Sequence, residues 1–233
     1  MVPAHNEEPT VFDVVSSLRG RQFDVLVIDD CSTDRTAELA SAGGAEVLRL
    51  PIKLGVGGAL RAGFRFAVDH GYESVVQVDG DGQHPVSQVQ ELEIAAAEND
   101  AHLVIGSRYL SSESTLVPSV PRRFSMWCLG KIASRIAGTC LTDTTSGFRL
   151  IRQPLLGQFA EEFPNYYLGD TYEATLAAVR AGFRVIEVPA ALSERKHGKS
   201  SVTTSQAIIL IAKVLVIALA NAHPRLGEAR ESR

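Results

Sequence analysis

Two carboxylates stand two residues apart in DGDGQHP, Asp79 to Pro85, directly behind the apolar run Ser74-Val75-Val76-Gln77-Val78. At the end of a strand, residues i and i+2 project to the same side. Asp79 and Asp81 are therefore expected to present oxygens to one point. Two like charges held together are costly unless a cation lies between them. A lysine, an arginine or a divalent metal would serve. Mg²⁺ takes few protein ligands and keeps positions for phosphate and water. Asp79, Asp81 and the neutral Gln83 suit that demand, with Gly80 and Gly82 letting the backbone bend. A turn with two solvated carboxylates is the plainer reading.

Basic residues complete the chemistry. RKHGK, Arg195 to Lys199, carries three permanent charges on a glycine-bearing loop. Such a loop could close over a diphosphate, and preorganised positive charge is often the largest catalytic term. A solvated surface loop is the alternative. Arg108, Arg122 and Arg123 suit a phosphate, which guanidinium grips bidentately; Arg122-Arg123 could equally start a surface helix. A hydroxyl acceptor needs a base within reach, and Asp170 in GDTYEAT is the best placed. It could also cap a helix, with Glu173 at the box spacing. Asp143 in DTTSGFR could position an acceptor or brace Arg149. His70, His102 and His223 read as structural or exposed, and His84, before Pro85, as a shaper of its turn.

The elements that must position these residues follow a βαβα rhythm. Strands are expected at Phe23 to Ile28, Ala45 to Leu50, Glu73 to Val78 and His102 to Ile105. Helices are expected at Arg35 to Ser41, with Ser32 or Asp34 as cap, at Gly55 to His70 and at Val86 to Glu98. That order implies an α/β fold with a mainly parallel sheet covered on both faces. Ligands then bind beyond the carboxyl ends of the strands, where Asp29, Asp30, Asp79 and Asp81 all fall. The second half is less regular, with helices at Arg122 to Ala137 and Asp170 to Ala181. Strands there are Gly147 to Ile151 and Phe183 to Val188, the latter stopped by Pro189. Ser111 to Pro121 reads as a mobile loop. Gly55, Gly57 and Gly63 miss the dinucleotide fingerprint, because Leu60 occupies the third glycine's place. They read as glycines that permit close helix packing.

A chain of 233 residues, 45% hydrophobic and 21% charged, has the length to bury a core. Its formal charge of −4 argues against general nucleic-acid binding. Cys31, Cys128 and Cys140 show no metal-type spacing and read as reduced thiols of a cytoplasmic protein. With polar residues beginning at His5, no signal peptide is expected. The stretch Ala207 to Ala220 is apolar apart from Lys213, and as a helix its 14 residues would span ~21 Å. A bilayer core needs about 20 residues. A core helix, a partner-binding or homodimer helix, and an interfacial helix with Lys213 snorkelling remain open. The polar end from Pro224 reads as disordered.

Seven segments, in order, resemble family 2 glycosyltransferases: VPAHNEE at Val2, VIDDCSTD at Val27, LGVGGALRAGF at Leu54, DGDGQHP at Asp79, GSRY at Gly106, DTTSGFR at Asp143 and RKHGKSS at Arg195. The last three are similar to the branch containing dolichol-phosphate mannose synthases and bacterial polyprenyl-phosphate sugar transferases. The resemblance spans about Val2 to Ser201. It implies a GT-A fold, residues 1–203, with a nucleotide-sugar half to about 107 and an acceptor half from 108. An apolar helix, 204–222, and a tail, 223–233, would follow.

Carried over by position, Pro3, His5 and Glu7 line the nucleoside. Asp30 meets base or ribose, with Asp29 beside it, and Lys53 and Gly80 join the nucleotide site. Asp79, Asp81 and Gln83 hold Mg²⁺ or Mn²⁺. Arg108, Arg122 or Arg123, and Ser146 meet the acceptor phosphate; Arg195, Lys199 and Ser200 meet the donor diphosphate. Asp81, Arg108, Asp170 and Arg195 would carry the catalysis. Three departures stand out. The family's first strand usually has more apolar residues before Pro3, which places its start upstream of Met1. Lys53 stands where many relatives have Asn. The membrane-spanning helices that often follow are missing here, so attachment would be peripheral or through a partner.

The resemblance thus implies inverting, metal-dependent transfer of a sugar from a UDP- or GDP-sugar to a polyprenyl phosphate at the cytoplasmic membrane face. Two readings compete with it. One is transfer to a saccharide or protein hydroxyl, with Asp170 as base. The other is a non-catalytic sugar-nucleotide binder or scaffold.

Overall fold

The computed structural model describes residues 1–110, 130–131, 134–135, 138, 140–163 and 170–192. Three parallel strands come first: β1 (Val2–Ala4), β2 (Leu26–Asp29) and β3 (Glu46–Arg49). Four more follow: β4 (Ser74–Gln77), β5 (Leu103–Ser107), β6 (Arg149–Arg152) and β7 (Val185–Pro189), paired in the order β4-β6-β5-β7. The amino group of Met1 donates to Val76 O and Val78 N–H donates to Met1 O, which is the pattern of a parallel pair. These bonds join the two sets into one sheet ordered β3-β2-β1-β4-β6-β5-β7. Only β6 runs against its neighbours. The mainly parallel sheet expected from the sequence is therefore present, with one reversed strand among its buried members.

Both faces are covered, which is why the strands read as apolar runs rather than alternations. Successive side chains go to opposite cores. Ile28, Leu103, Ile105 and Ile151 pack with α3 (Gly55–Asp69), α5 (Leu155–Glu162) and α6 (Asp170–Arg180). Val27, Val104 and Leu150 pack with α1 (Val11–Arg19) and α4 (Val89–Glu98). α3 buries Gly57, Leu60, Gly63, Phe64 and Ala67, a stripe at helical spacing. A Cβ on Gly63 would lie 2.8 Å from Ile28 Cδ1, so this glycine does allow the helix to settle on the sheet. α2 (Thr36–Ala42) starts just after Asp34, whose carboxylate accepts Thr36 N–H at 3.0 Å.

Element ends differ from the sequence reading by at most three residues, and β7 includes Pro189, which was expected to stop it. The helix expected from Val86 opens as a 3₁₀ turn, Val86–Gln88, before α4. α1 and α5 were not anticipated. The expected helix at Arg122 to Ala137 lies almost wholly outside the described residues, and the C-terminal apolar stretch wholly so. Among the described residues no helix is long and apolar enough to cross a membrane. A cavity of about 430 Å³ opens at the amino ends of β2 and β4, beside Leu26, Phe66 and Val76, and none of the candidate site residues lines it.

Among the described residues two buried hydroxyls, those of Thr144 and Tyr172, have no partner. Tyr172 on α6 is 1% exposed, and its Oη makes no hydrogen bond among the described residues. Burial pushes its pKa up to about 12. An unmade bond leaves a desolvation cost with nothing to offset it. Tyr172→Phe is expected to stabilise the fold by up to about 1 kcal/mol, read as a higher urea midpoint at unchanged slope. A lower midpoint would show that the hydroxyl has a partner in solution.

Candidate active site

The carboxyl ends of β1, β2, β4 and β5 bring the acidic and basic residues to one edge of the sheet. The first strand leads into His5, whose Nδ1 lies 2.9 Å from Asp30 O. Asn6 N–H donates to Ser32 Oγ, and Thr33 N–H donates back to Asn6 Oδ1. Glu7 N–H donates to Thr36 Oγ1 at 2.8 Å. The segment after β1 is thus stitched to the segment after β2. Pro3 on β1 and His5 and Glu7 after it are each half-buried.

Asp29 and Asp30 are both buried. Asp29 Oδ1 accepts Ser32 N–H at 3.0 Å. Asp30 uses both carboxylate oxygens on the start of α3, accepting Leu54 N–H at 2.7 Å and Gly55 N–H at 2.9 Å. This is a favourable place for a negative charge, at the positive end of a 15-residue helix. Asp30 therefore fixes the loop carrying Lys53, whose own side chain is exposed.

β4 ends at Gln77, two residues before Asp79. The same-side argument for strand residues does not apply, because Asp79 and Asp81 stand in the turn beyond it. That turn has its own order. Gly82 has φ +74°, a left-handed conformation that favours glycine. Gln83 N–H donates to Asp81 Oδ1 at 3.0 Å, and Asp81 is 2% exposed. Thr10 Oγ1 donates to Gly80 O at 2.7 Å, tying the turn to α1. His84 Nδ1 accepts Asp79 N–H at 2.9 Å, so the ring proton is assigned to Nε2, 3.5 Å from Asp79 Oδ2. His84 shapes the turn, as its position before Pro85 suggested. The Asp79 carboxylate rests against the backbone of Gly147, where an added Cβ would lie 3.0 and 3.2 Å from its two oxygens.

Arg108 follows β5. Its Nε and Nη2 each donate to Asp143 at 2.6 Å, and its backbone N–H donates to the same carboxylate at 2.9 Å. Nη2 also reaches Thr145 Oγ1. Burial alone would lower the arginine pKa, but the Asp143 carboxylate more than compensates and the net shift is upward. The bidentate fork expected for a phosphate is thus occupied by Asp143. Nη1 is the terminal nitrogen that carries no hydrogen bond among the described residues. Asp143 in turn is set by Glu187 on β7, which accepts Asp143 N–H at 2.7 Å, Thr142 N–H at 2.8 Å and Thr142 Oγ1 at 2.6 Å. Burial raises the Glu187 carboxyl above the ordinary range despite these bonds. The sequence reading missed Glu187. A single carboxylate inside Val185-Ile186-Glu187-Val188 was the available signal.

Ser146 is buried, with Oγ accepting Phe148 N–H at 3.3 Å. It belongs to the inner side of its loop. Asp170 is the first residue of α6. Arg122, Arg123, Arg195, Lys199 and Ser200 lie outside the described residues. Among those described, no three His, Cys, Asp or Glu side chains converge as a metal cage of protein groups alone would require. Asp79 and Asp81 with the amide oxygen of Gln83 match the sparse donor set of a cation that takes its other ligands from phosphate and water.

Comparison with known proteins places this edge in context. The family described as Glycosyl transferase family 2 matches residues 1–159. An undecaprenyl-phosphate mannosyltransferase of Micrococcus luteus is 35% identical over 214 residues, covering 87% of this chain and 86% of its own. A polyprenol monophosphomannose synthase of Mycolicibacterium smegmatis is 30% identical over 218 residues, covering 88% and 80%. Among solved structures, glucosyl-3-phosphoglycerate synthase of Mycobacterium tuberculosis with Mn²⁺, uridine diphosphate and glucosyl-3-phosphoglycerate has a TM-score of 0.62 at 17% identity, covering 94% of this chain and 77% of its own. That likeness concerns the fold.

Proposed function

Since the chain belongs to glycosyl transferase family 2, and is thus a glycosyltransferase, we propose that it moves a sugar from a UDP- or GDP-sugar to a polyprenyl phosphate with inversion at the anomeric carbon. The observation that carries this reading is that one loop serves both groups: Asp143 and Thr145 hold Arg108, and Gly147 lies against the Asp79 carboxylate. The two mannosyl-transferring relatives, which act on polyprenyl carriers by name, support the acceptor class.

Asp79, Asp81 and Gln83 would hold Mg²⁺ or Mn²⁺. When bound, such an ion neutralises the leaving diphosphate as a Lewis acid. The protein groups do the rest. His5, Glu7, Asp29, Asp30, Lys53 and Gly80 line the nucleotide side. The segment after β1, cross-linked to Ser32, Thr33 and Thr36, gives that side a rigid wall. Arg108 meets the acceptor phosphate through Nη1, with Asp143 holding the guanidinium plane. Arg122 or Arg123 completes that side, whereas Ser146, buried with its hydroxyl on Phe148 N–H, is withdrawn from it; Arg195, Lys199 and Ser200 serve the donor diphosphate. A phosphate monoester is already anionic at neutral pH, so the attack needs orientation and charge balance rather than a base. Asp170 is the base only if the acceptor is a hydroxyl. The enzyme would work at the cytoplasmic membrane face, held peripherally or by a partner or second copy through residues 204–222.

The test is nucleotide diphosphate release from a panel of UDP- and GDP-sugars, with and without polyprenyl phosphate, in Mg²⁺ and then in EDTA. Release that requires one donor, the lipid phosphate and metal supports the proposal. Release driven only by soluble hydroxyl acceptors transfers the reading to Asp170 chemistry. Donor binding without turnover in folded protein would make it a binder.

A further inference from the structure

Arg149, the first residue of β6, is 2% exposed, yet no carboxylate lies within ion-pair distance of it among the described residues. Buried charges are normally paired, because desolvation is expensive. Its guanidinium spends its hydrogen bonds on backbone carbonyls instead. Nε and Nη2 donate to Ser146 O at 3.0 and 2.6 Å, Nη2 reaches Thr144 O at 3.4 Å, and Nη1 donates to Thr171 O at 3.1 Å. The first two acceptors belong to the loop before β6. The third is the second residue of α6. Thr175 repeats the tie, its Oγ1 lying 2.8 Å from Thr171 O and 3.5 Å from Thr144 O.

The tied loop is the one against which Asp79 rests. Gly147 follows Ser146 directly, and the Asp79 oxygens lie against its backbone. Gln77, the strand partner of Arg149, has its amide nitrogen beside the same point. Burial lowers the Arg149 pKa to about 10, with Asp143 and Asp79 opposing the fall through space. Its planar fork thus spans two elements, the loop that lies against Asp79 and the start of α6.

We propose that Arg149 is a positioning residue of the active site. Its fork holds the loop at 144–147 and the start of α6 together, and so fixes the Asp79 carboxylate relative to the acceptor side. This rests on the transferase reading above. Lysine keeps the charge but lacks the fork and its fixed geometry. Arg149→Lys should therefore lower kcat by about 10²-fold and raise the half-saturating Mn²⁺ concentration by about tenfold. The donor KM should stay within about threefold, since the nucleotide side is built on β1 and β2. Thr175→Val, which removes the second tie with little change of shape, should shift both values the same way by a smaller factor.

Wild-type turnover is measured first, because its absence would remove the transferase reading itself. With turnover present, the Arg149 assignment is supported if the metal constant and kcat shift together in folded variants, as judged by circular dichroism. A lower melting temperature with kcat and the metal constant unchanged would overturn it, leaving Arg149 a structural residue. Should Arg149→Lys fail to fold, Thr175→Val decides: an unchanged metal constant there overturns the assignment.

Discussion

Asp81→Asn is expected to lower turnover by about 10²-fold, on the order of 3 kcal/mol of transition-state stabilisation. Asp81 is almost fully buried, and its Oδ1 accepts Gln83 N–H. Asparagine keeps the shape and an oxygen for that bond, so the turn should survive. What it loses is one negative charge where a cation and a diphosphate must be held. The signature should therefore lie in the metal. The half-saturating Mn²⁺ concentration should rise by about 10–100-fold, with part of the rate recovered at high Mn²⁺. Asp79→Asn should be worse, because the Asp79 charge also acts on Arg108 and Arg149. Turnover and metal constant unchanged in Asp81→Asn would place the cation elsewhere and remove the main support for the acidic turn.

Much of this site was legible because parallel α/β sheets put strand ends on one edge. Given βαβα order, Asp29, Asp30, Asp79 and Asp81 had to fall on that edge. Their individual roles were not legible. Asp79 and Asp81 were expected to share a side as strand residues, but β4 stops at Gln77 and the turn is set by Gly82, His84 and Gly147. Two of those three are within a few residues, whereas Gly147 arrives from a distant loop. The same distinction explains Arg108. Its type announced a phosphate ligand, while its partner Asp143 lies 35 positions away and is brought in by the reversed strand β6. Nothing in local periodicity marks a strand as reversed. α1 and α5 were missed for a different reason: at 9 and 8 residues they are shorter than the window over which a helical period is counted.

The Arg108–Asp143 pair supplies the other large effect, on stability rather than chemistry. Asp143 has no exposed side-chain surface and Arg108 little, 18%. Removing one member of such a pair strands the other without its counter-charge, at a typical cost of about 3–5 kcal/mol. Arg108→Met should cost this much, since Asp143 would keep only its backbone and Thr145 contacts. Asp143→Asn should cost nearly as much, tempered by the Asp79 charge nearby. The double variant should be less destabilised than the sum of the singles by about 1–3 kcal/mol, because no buried charge is then left alone. Urea denaturation of the four proteins measures this directly, and additive losses would mean that the pair is not coupled. Turnover should not follow stability. The double variant has no guanidinium for the acceptor, so its rate should stay as low as that of Arg108→Met even though the two stability losses fall short of additive. A double variant that turns over faster than Arg108→Met would make Arg108 a strut for its loop, and the acceptor phosphate would then have to be held by other residues.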